Sequence, residues 1–328
     1  MTRNFPLGFH IGAATVFAFI LPFVVPSEVL ATEILIFALA AIGCNLLLGY
    51  TGLLSFGQAL FFGAGAYFAG LMSIHLPFGL FTVLLISTIA GAAIAVIVGF
   101  FSIRRAGIYF VMLTLAFGQL GYYIAFLAEP LTGGEDGLLS VVRPSLTIPF
   151  IAKFDFATNT SFYYVTAVTF VMAFTLLQRL VDSPLGSVLR AIKQNEARAE
   201  AIGYQVRLYK IAVFAFSGAV TSLSGALYAL MLNFAPLSNI DIETSEVILF
   251  MCVLGGLGSL YGSILGAVIF LLASDFFAEL WPRWMLLLGL MLVMIMLYMP
   301  GGLWKSVCSL FARLSGTDDT VKKGGANG

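Results

Sequence analysis

Residues 34–103 contain no Asp, Glu, Lys or Arg. A helix needs about 20 apolar residues to cross the hydrocarbon core of a bilayer, so this run has room for three crossings. Further charge-free runs lie at 4–27, 106–128, 156–178, 211–240, 247–274 and 284–304. Backbone polar groups in lipid must be satisfied within the protein, and runs of helix length satisfy them as helices. The expected fold class is therefore all-α, a polytopic transmembrane helical bundle with 8 to 10 crossings. Helices are expected near 10–26, 33–48, 53–74, 79–101, 107–127, 161–178, 211–233 and 284–300.

Composition agrees. Of 328 residues, 60% are hydrophobic and only 10% charged, against about 25% charged in an ordinary soluble domain. This excludes a soluble enzyme, a nucleic-acid binder and a disordered regulator. The net charge of +0 gives no field to gather polyanions. Cys44, Cys252 and Cys308 lack metal-ligand spacing, and two histidines, His10 and His75, make a His-based metal site a poor expectation. The first 25 residues carry one positive charge, Arg3, and no small-residue cleavage site. They read as a retained first helix rather than a cleaved leader.

Orientation follows from Lys and Arg, which favour the cytoplasmic side. The loop 179–210 holds Arg179, Arg190, Lys193, Arg198, Arg207 and Lys210 against three acids, so it is expected to be cytoplasmic. Arg104 and Arg105 fall on the same side, and both termini do too. The outer loops are then 27–33, 128–160 and 234–246. To return the basic tail (Lys305, Arg313, Lys322, Lys323) to the inside, 246–273 must go in and come back, as a re-entrant pair or two short crossings. Gly255-Gly256-Leu257-Gly258 and Gly262 supply the break. The expected division is a membrane domain over 1–305 and a cytoplasmic tail over 306–328.

Three rows of small residues stand out: Ala59/Gly63/Ala66/Gly70, Gly218/Ser222/Gly225/Ala229 and Gly258/Gly262/Gly266. Such rows let membrane helices approach closely. Before the first come Thr51, Ser55 and Gln58 with Gly52 and Gly57, polar groups at membrane depth that need partners or a wet cavity. They point to a broken helix beside a path. In the cytoplasmic loop, Ser183-Pro184 is a helix start. Leu185, Val188, Leu189 and Ile192 then make one apolar face. Asn195 can cap a second helix, 196–202, that Gly203 ends. This pair reads as interfacial helices or as a docking knob for a cytoplasmic protein. The outer segment 131–137, Leu-Thr-Gly-Gly-Glu-Asp-Gly, is a turn that either faces solvent or docks a soluble partner. There is no Gly-x-x-x-x-Gly-Lys-Ser/Thr, so the chain has no P-loop for ATP. No acid or base lies well inside an expected helix, as a proton-driven carrier would usually keep.

Five blocks, in order, carry a resemblance: Gly49-Tyr-Thr-Gly-Leu-Leu-Ser-Phe-Gly-Gln58, Tyr109-Phe-Val-Met-Leu-Thr-Leu-Ala-Phe117, Thr132-Gly-Gly-Glu-Asp-Gly137, Leu189-Arg-Ala-Ile-Lys-Gln-Asn-Glu-Ala-Arg-Ala-Glu-Ala-Ile-Gly-Tyr204 and Val253-Leu-Gly-Gly-Leu-Gly-Ser-Leu-Tyr-Gly262. From about 33 to 302 the chain resembles the Liv M-type permease subunits of branched-chain amino-acid ABC importers. The resemblance implies a multi-pass protein of the bacterial inner membrane that is a transporter subunit, not an enzyme, with no cofactor of its own. It implies four kinds of partner: a related H-type permease subunit, two ABC ATPase subunits, a periplasmic substrate-binding protein, and membrane lipid. Glu196, Ala197, Arg198, Glu200 and Gly203 match the ATPase-coupling segment. The glycine follows the glutamate by seven residues here, rather than six as in the wider importer pattern. Asn45, Ser55, Gln58, Thr114 and Gln119 are the candidate path residues. Thr132, Gly133, Gly134, Glu135 and Asp136 are the candidate contacts for the binding protein. The sister family of urea and short-amide permeases shares several blocks and is the alternative.

Overall fold

The computed structural model describes residues 7–144, 146–148, 152–154, 158–299, 301–306 and 309. Arg3, Arg313, Lys322, Lys323, Cys308 and all but Ser306 and Ser309 of the expected tail lie outside the described residues. The chain is a helical bundle: α1 (Leu7–Val24), α2 (Glu28–Thr51), α3 (Gln58–His75), α4 (Leu80–Ser102), α5 (Ile108–Leu127), α6 (Glu129–Thr132), α7 (Asn159–Asp182), α8 (Pro184–Gln194), α9 (Glu196–Ala201), α10 (Val206–Leu232), α11 (Ile242–Gly255), α12 (Leu260–Leu280) and α13 (Trp284–Tyr298). The segment between α6 and α7 adds one short antiparallel pair, β1 (Leu146–Ile148) with β2 (Ala152–Phe154). Among the described residues six helices are long and apolar enough to cross a membrane: α2, α4, α5, α7, α10 and α12.

Several helices run past the bounds set by the charge-free runs. α2 begins at Glu28 rather than 33, because Ser27 caps it, its hydroxyl accepting from Val29 N at 3.2 Å, and an acid in a first turn suits the helix dipole. α7 spans 159–182 rather than 161–178, and α10 begins at Val206 rather than 211. Inside α10, Lys210 is buried and meets Glu196 at 2.6 Å. α3 differs most. Helix was expected from 53, yet 52–57 is non-helical and α3 starts at Gln58.

α2 and α10 form the centre. Nearly all of α2 from Ala31 to Thr51 is buried, and α10 packs against α2, α3 and α4. Small residues permit this. A Cβ on Gly65 would collide with the Ser222 carbonyl, one on Gly225 with the Phe62 carbonyl, and one on Gly218 with Ala95. The second small-residue row thus packs helices as expected. The first behaves differently. Gly63 meets Ile240 and Gly70 meets Leu138, both outside the spanning helices, while the close approach of α3 to α10 uses Gly65. The third row closes a hairpin. Gly262 abuts Gly255 and Gly256, and Gly266 abuts the Met251 carbonyl, so α11 and α12 run antiparallel. The chain reverses at 256–259, where Gly256 and Gly258 take φ of 115° and 85°. α11, with 14 residues, is about 21 Å long at 1.5 Å per residue, shorter than the ~30 Å hydrocarbon core.

Contacts sort the loops into two ends. At one end Lys193 reaches Gly49, Gly258 touches Asn45, Gly302 abuts Gly256, and Arg104 and Arg207 both stack on Phe100. His10, at the start of α1, bonds Tyr261 at the start of α12 there. At the other end Thr160 bonds Glu28, Arg143 bonds the Leu230 and Met231 carbonyls, and Leu138 pairs with Ala235. The basic residues of 179–210 share an end with Arg104, which is the arrangement expected from charge. Cys44 and Cys252 are buried.

Replacing Gly225 with Leu is expected to cost about 1–3 kcal/mol through overpacking against the Phe62 carbonyl. The check is a lowered thermal-unfolding midpoint in detergent, with Gly289→Leu, whose Cβ position is open, unchanged.

Candidate functional site

The break between α2 and α3 lies inside the bundle. Ser55, Gly57 and Gln58 are buried, Gln58 at 0% exposure. α2 ends with Gly52 in the left-handed region, φ 76°, its N–H returning to the Leu47 carbonyl. The chain then climbs back. Gln58 lies level with Gly43, eight residues before the end of α2, which is about 12 Å of helix.

Side chains of four helices hold that climb. The Gln58 amide donates to Ser217 Oγ at 3.3 Å and accepts from Thr221 Oγ1 at 2.9 Å. Ser217 donates to the Gly43 carbonyl at 2.7 Å. The Ala59 N–H finds Ser245 Oγ at 2.7 Å, the Phe56 N–H finds Thr114 Oγ1 at 3.3 Å, and the Gly57 N–H finds Ser55 Oγ at 3.2 Å. The orphan amides at a helix start and in the break thus receive hydroxyl acceptors from α5, α11 and the break itself. Ser217, Thr221 and Ser224 lie at i, i+4 and i+7 on α10, and Ser224 extends the row to the Ile36 carbonyl at 2.6 Å. Interhelical bonds of this kind average about 0.6 kcal/mol in a membrane protein, rising to about 1.7.

Asn45 builds a second junction. Its amide donates to the Ser259 carbonyl at 2.8 Å and to Ser263 Oγ at 2.6 Å, and accepts from Gly258 N at 3.0 Å. It ties α2 to the α11–α12 turn. Of the five candidate path residues, Asn45, Ser55, Gln58 and Thr114 are therefore buried and bonded within the chain. The structure brings Ser55, Gln58 and Thr114 together at the break and places Asn45 at the adjoining turn. Gln119 stands apart, half-buried on α5, with much of that helix exposed.

The candidate coupling segment forms the two helices read from the sequence. Pro184 opens α8, whose Gly186, Val188, Leu189 and Ile192 are buried. The Ser183 hydroxyl was expected to cap α8. It donates instead to the Leu180 carbonyl at 2.6 Å, so it closes α7. Asn195 does cap α9, Oδ1 accepting from Arg198 N at 2.9 Å, and Gly203 follows with φ 94° and open space around it. Ala197, Arg198, Glu200 and Gly203 face solvent. Glu196 does not present a free carboxylate. It is half-exposed at 48% and paired with Lys210, whose side chain is 8% exposed. That pair straps α9 to α10. Lys193, singled out only as one of the loop's charges, donates to the Gly49 carbonyl at 2.7 Å.

At the opposite end, α6 ends at Gly133 in the left-handed region and a 3-10 turn covers Gly134–Asp136. Thr132 is buried, its hydroxyl donating to the Ala125 carbonyl and accepting from Gly134 N. Gly134 is buried and Gly133 half-buried, while Glu135 and Asp136 project into solvent. Among the described residues no group of three His, Cys, Asp or Glu could hold a metal. Among the described residues three side-chain atoms are buried without a partner, Tyr67 Oη, Ser102 Oγ and Asn239 Nδ2, and they carry no signal in the sequence pattern. Tyr67 lies between Gly63 and Gly70 on the α3 face that 235–240 crosses.

Asn45→Ala is expected to leave the Gly258 N–H and the Ser259 carbonyl without their partner, at a cost of about 1–3 kcal/mol. The check is the unfolding midpoint of the purified chain, which should fall in Asn45→Ala and hold in Gln119→Ala.

Comparison with known proteins places this geometry. Residues 28–297 match the family model described as "Branched-chain amino acid transport system / permease component". The LivM high-affinity branched-chain amino acid transport permease of Escherichia coli K12 is 28% identical over 292 residues, 84% of this chain and 69% of that protein. The LivM of Salmonella typhimurium LT2 is 28% identical over 311 residues, 89% and 73%. The ribose import permease RbsC of Haemophilus influenzae is 27% identical over 240 residues, 71% of each chain. No solved structure matches. A multi-pass helical bundle matched along 28–297 and aligned with LivM over most of its length, the chain belongs to the branched-chain amino acid transport permease family.

Proposed function

We propose that this chain is one of two permease subunits of an ATP-driven importer that carries branched-chain amino acids across a bacterial inner membrane. The observation that carries the reading is the pairing of an exposed two-helix knob, α8–α9, with a helix break whose α2 end it touches at Gly49 and Gly52. A permease without a nucleotide site of its own needs both: a place for an ATPase to push and an element that yields. Two ABC ATPases would engage the basic, cytoplasmic end at Ala197, Arg198, Glu200 and Gly203. Glu196 would hold α9 in position through Lys210. The LivM relatives, named for branched-chain amino acid transport, support the substrate class.

A related H-type permease would complete the path, and lipid would cover the remaining apolar faces. The path residues proposed for this subunit are Asn45, Ser55, Gln58, Thr114 and Gln119. They are neutral amides and hydroxyls, suited to passing a zwitterion without holding it. The bonds that Asn45, Ser55, Gln58 and Thr114 make within the chain would belong to a closed path, and opening would exchange those partners. At the periplasmic end, Glu135 and Asp136, on the turn built by Thr132, Gly133 and Gly134, would meet the substrate-binding protein. The membrane domain would cover 1–305, with 306–328 as a cytoplasmic tail.

The test is radiolabelled leucine uptake by the reconstituted complex, with and without ATP, with urea as competitor. Uptake is expected to require ATP and to ignore urea. Uptake without ATP would make the chain a secondary carrier, and urea transport without leucine transport would move it to the amide permeases. In the same assay Gly203→Trp, whose side chain would enter open space toward the proposed ATPase, should assemble and hydrolyse ATP yet lose most uptake, while Gly203→Ala, which bears the same backbone strain at a φ of 94°, should keep it. Normal uptake by Gly203→Trp would exclude α9 as the coupling element.

A further inference from the structure

α2 stops at Thr51, and a helix end leaves its last carbonyls without N–H partners. The Gly52 and Leu53 amides both fold back on the Leu47 carbonyl, which leaves Gly49's carbonyl unserved by the turn. α2 has no basic residue in its own last turn, although a cation suits the negative end of a helix dipole. Lys193 supplies both. Its ammonium donates to Gly49 O at 2.7 Å, and its stem packs along Gly52, whose Cβ position lies 3.5 Å from Lys193 Cγ. Lys193 itself sits in the last turn of α8.

Gly49 is the crowded point where three elements meet. A Cβ there would collide with Asn45 Oδ1 and stand 2.6 Å from Gly258 N. Asn45 in turn holds Gly258, Ser259 and Ser263. Three residues beyond Gly49 begins the non-helical climb to Gln58. One carbonyl thus adjoins α8, the α11–α12 turn and the α2–α3 break. On the buried face of α8, Leu189 joins the main core of the bundle, while Val188 and Ile192 pack with Ala199 of α9 and Val206 of α10. The Lys193 bond is a polar contact between α8 and the end of α2.

We propose that Lys193 is a positioning residue that latches α8, the helix that carries the ATPase-docking helix α9, to the Gly49 carbonyl, so that displacement of the α8–α9 pair moves the end of α2 and reaches the 52–57 break and the 256–259 turn together. The latch rests on the reading that α8–α9 docks an ATPase. It assigns to Lys193 a task distinct from contact with that ATPase.

The experiment uses the whole complex in proteoliposomes with radiolabelled leucine and the loaded binding protein, comparing wild type, Lys193→Met and Lys193→Arg. Met keeps the stem and removes the donor. The expected result is an assembled Lys193→Met complex whose ATP hydrolysis still responds to the loaded binding protein, while leucine transported per ATP falls about tenfold, within the range of coupling between sites. Lys193→Arg should restore the ratio. A Lys193→Met complex with the wild-type ratio, or one that loses stimulated hydrolysis in step with uptake, would overturn the latch. Equal loss in Lys193→Arg would overturn it as well. Hydrogen exchange on the wild-type complex covers the case of a variant that does not assemble. Amides in 52–57 and in 256–259 should change protection together between nucleotide-free and ATP-trapped states, and unchanged protection at both overturns the latch. A wild-type complex that shows no ATP-dependent leucine uptake would instead refute the importer reading, which separates the two failures.

Discussion

A backbone that leaves its helix inside a bilayer must find new partners for every amide it frees, because lipid offers none. The segment 52–57 is where this chain meets that demand. The amides of Phe56, Gly57 and Ala59 are met by hydroxyls of Thr114, Ser55 and Ser245, those of Gly52 and Leu53 by the Leu47 carbonyl, and the side chain of Gln58 is locked between Ser217 and Thr221. The helices α2, α3, α5, α10 and α11 all contribute to this one layer. Their mutual positions follow from the need to satisfy it. A row of hydroxyls on α10 would be expensive in lipid and is stable here because each group has a carbonyl or amide opposite.

The same layer explains the distribution of small residues. α3 approaches α10 closely at Gly65 and Gly225, where backbone meets backbone, and that approach is what brings Gln58 within reach of α10. Below it, the Asn45 junction binds α2 to the α11–α12 hairpin. The two junctions are separated along α2 by only two residues, Gly43 to Asn45. Movement of the end of α2 therefore acts on both, which is a geometric basis for communication between the basic end and the bundle interior.

Local signals in the sequence identified local structure well. Asn195 as a cap, Pro184 as a first helical residue, the apolar face of α8 and the reversal at the glycines near 256 each depend on neighbours in the chain, and each is found. The helix starts at Glu28 and Val206 were missed because a charge-free run marks apolar surroundings, while a helix can carry its charges past that limit when a cap or an ion pair receives them. The Glu196–Lys210 pair joins residues on two helices separated by a turn, and no spacing rule points to it. The row Ala59/Gly63/Ala66/Gly70 had the right pattern but a different neighbour. Its glycines receive Ile240 and Leu138, and only the three-dimensional path of 235–240 shows why. The polar group Thr51, Ser55 and Gln58 was legible as something needing partners; Thr51 and Ser55 find theirs locally, at the Leu47 carbonyl and the Gly57 amide, but the partners of Gln58, Ser217 and Thr221, lie far along the chain.

The central claim is that Gln58 and the α10 hydroxyls act as one interaction holding the break. A double-mutant cycle on Gln58→Leu and Thr221→Val, read by equilibrium unfolding of the purified chain in mixed micelles, measures it directly. The account predicts a coupling energy of about 1 kcal/mol or more between the two positions. Additivity to within about 0.3 kcal/mol would contradict it.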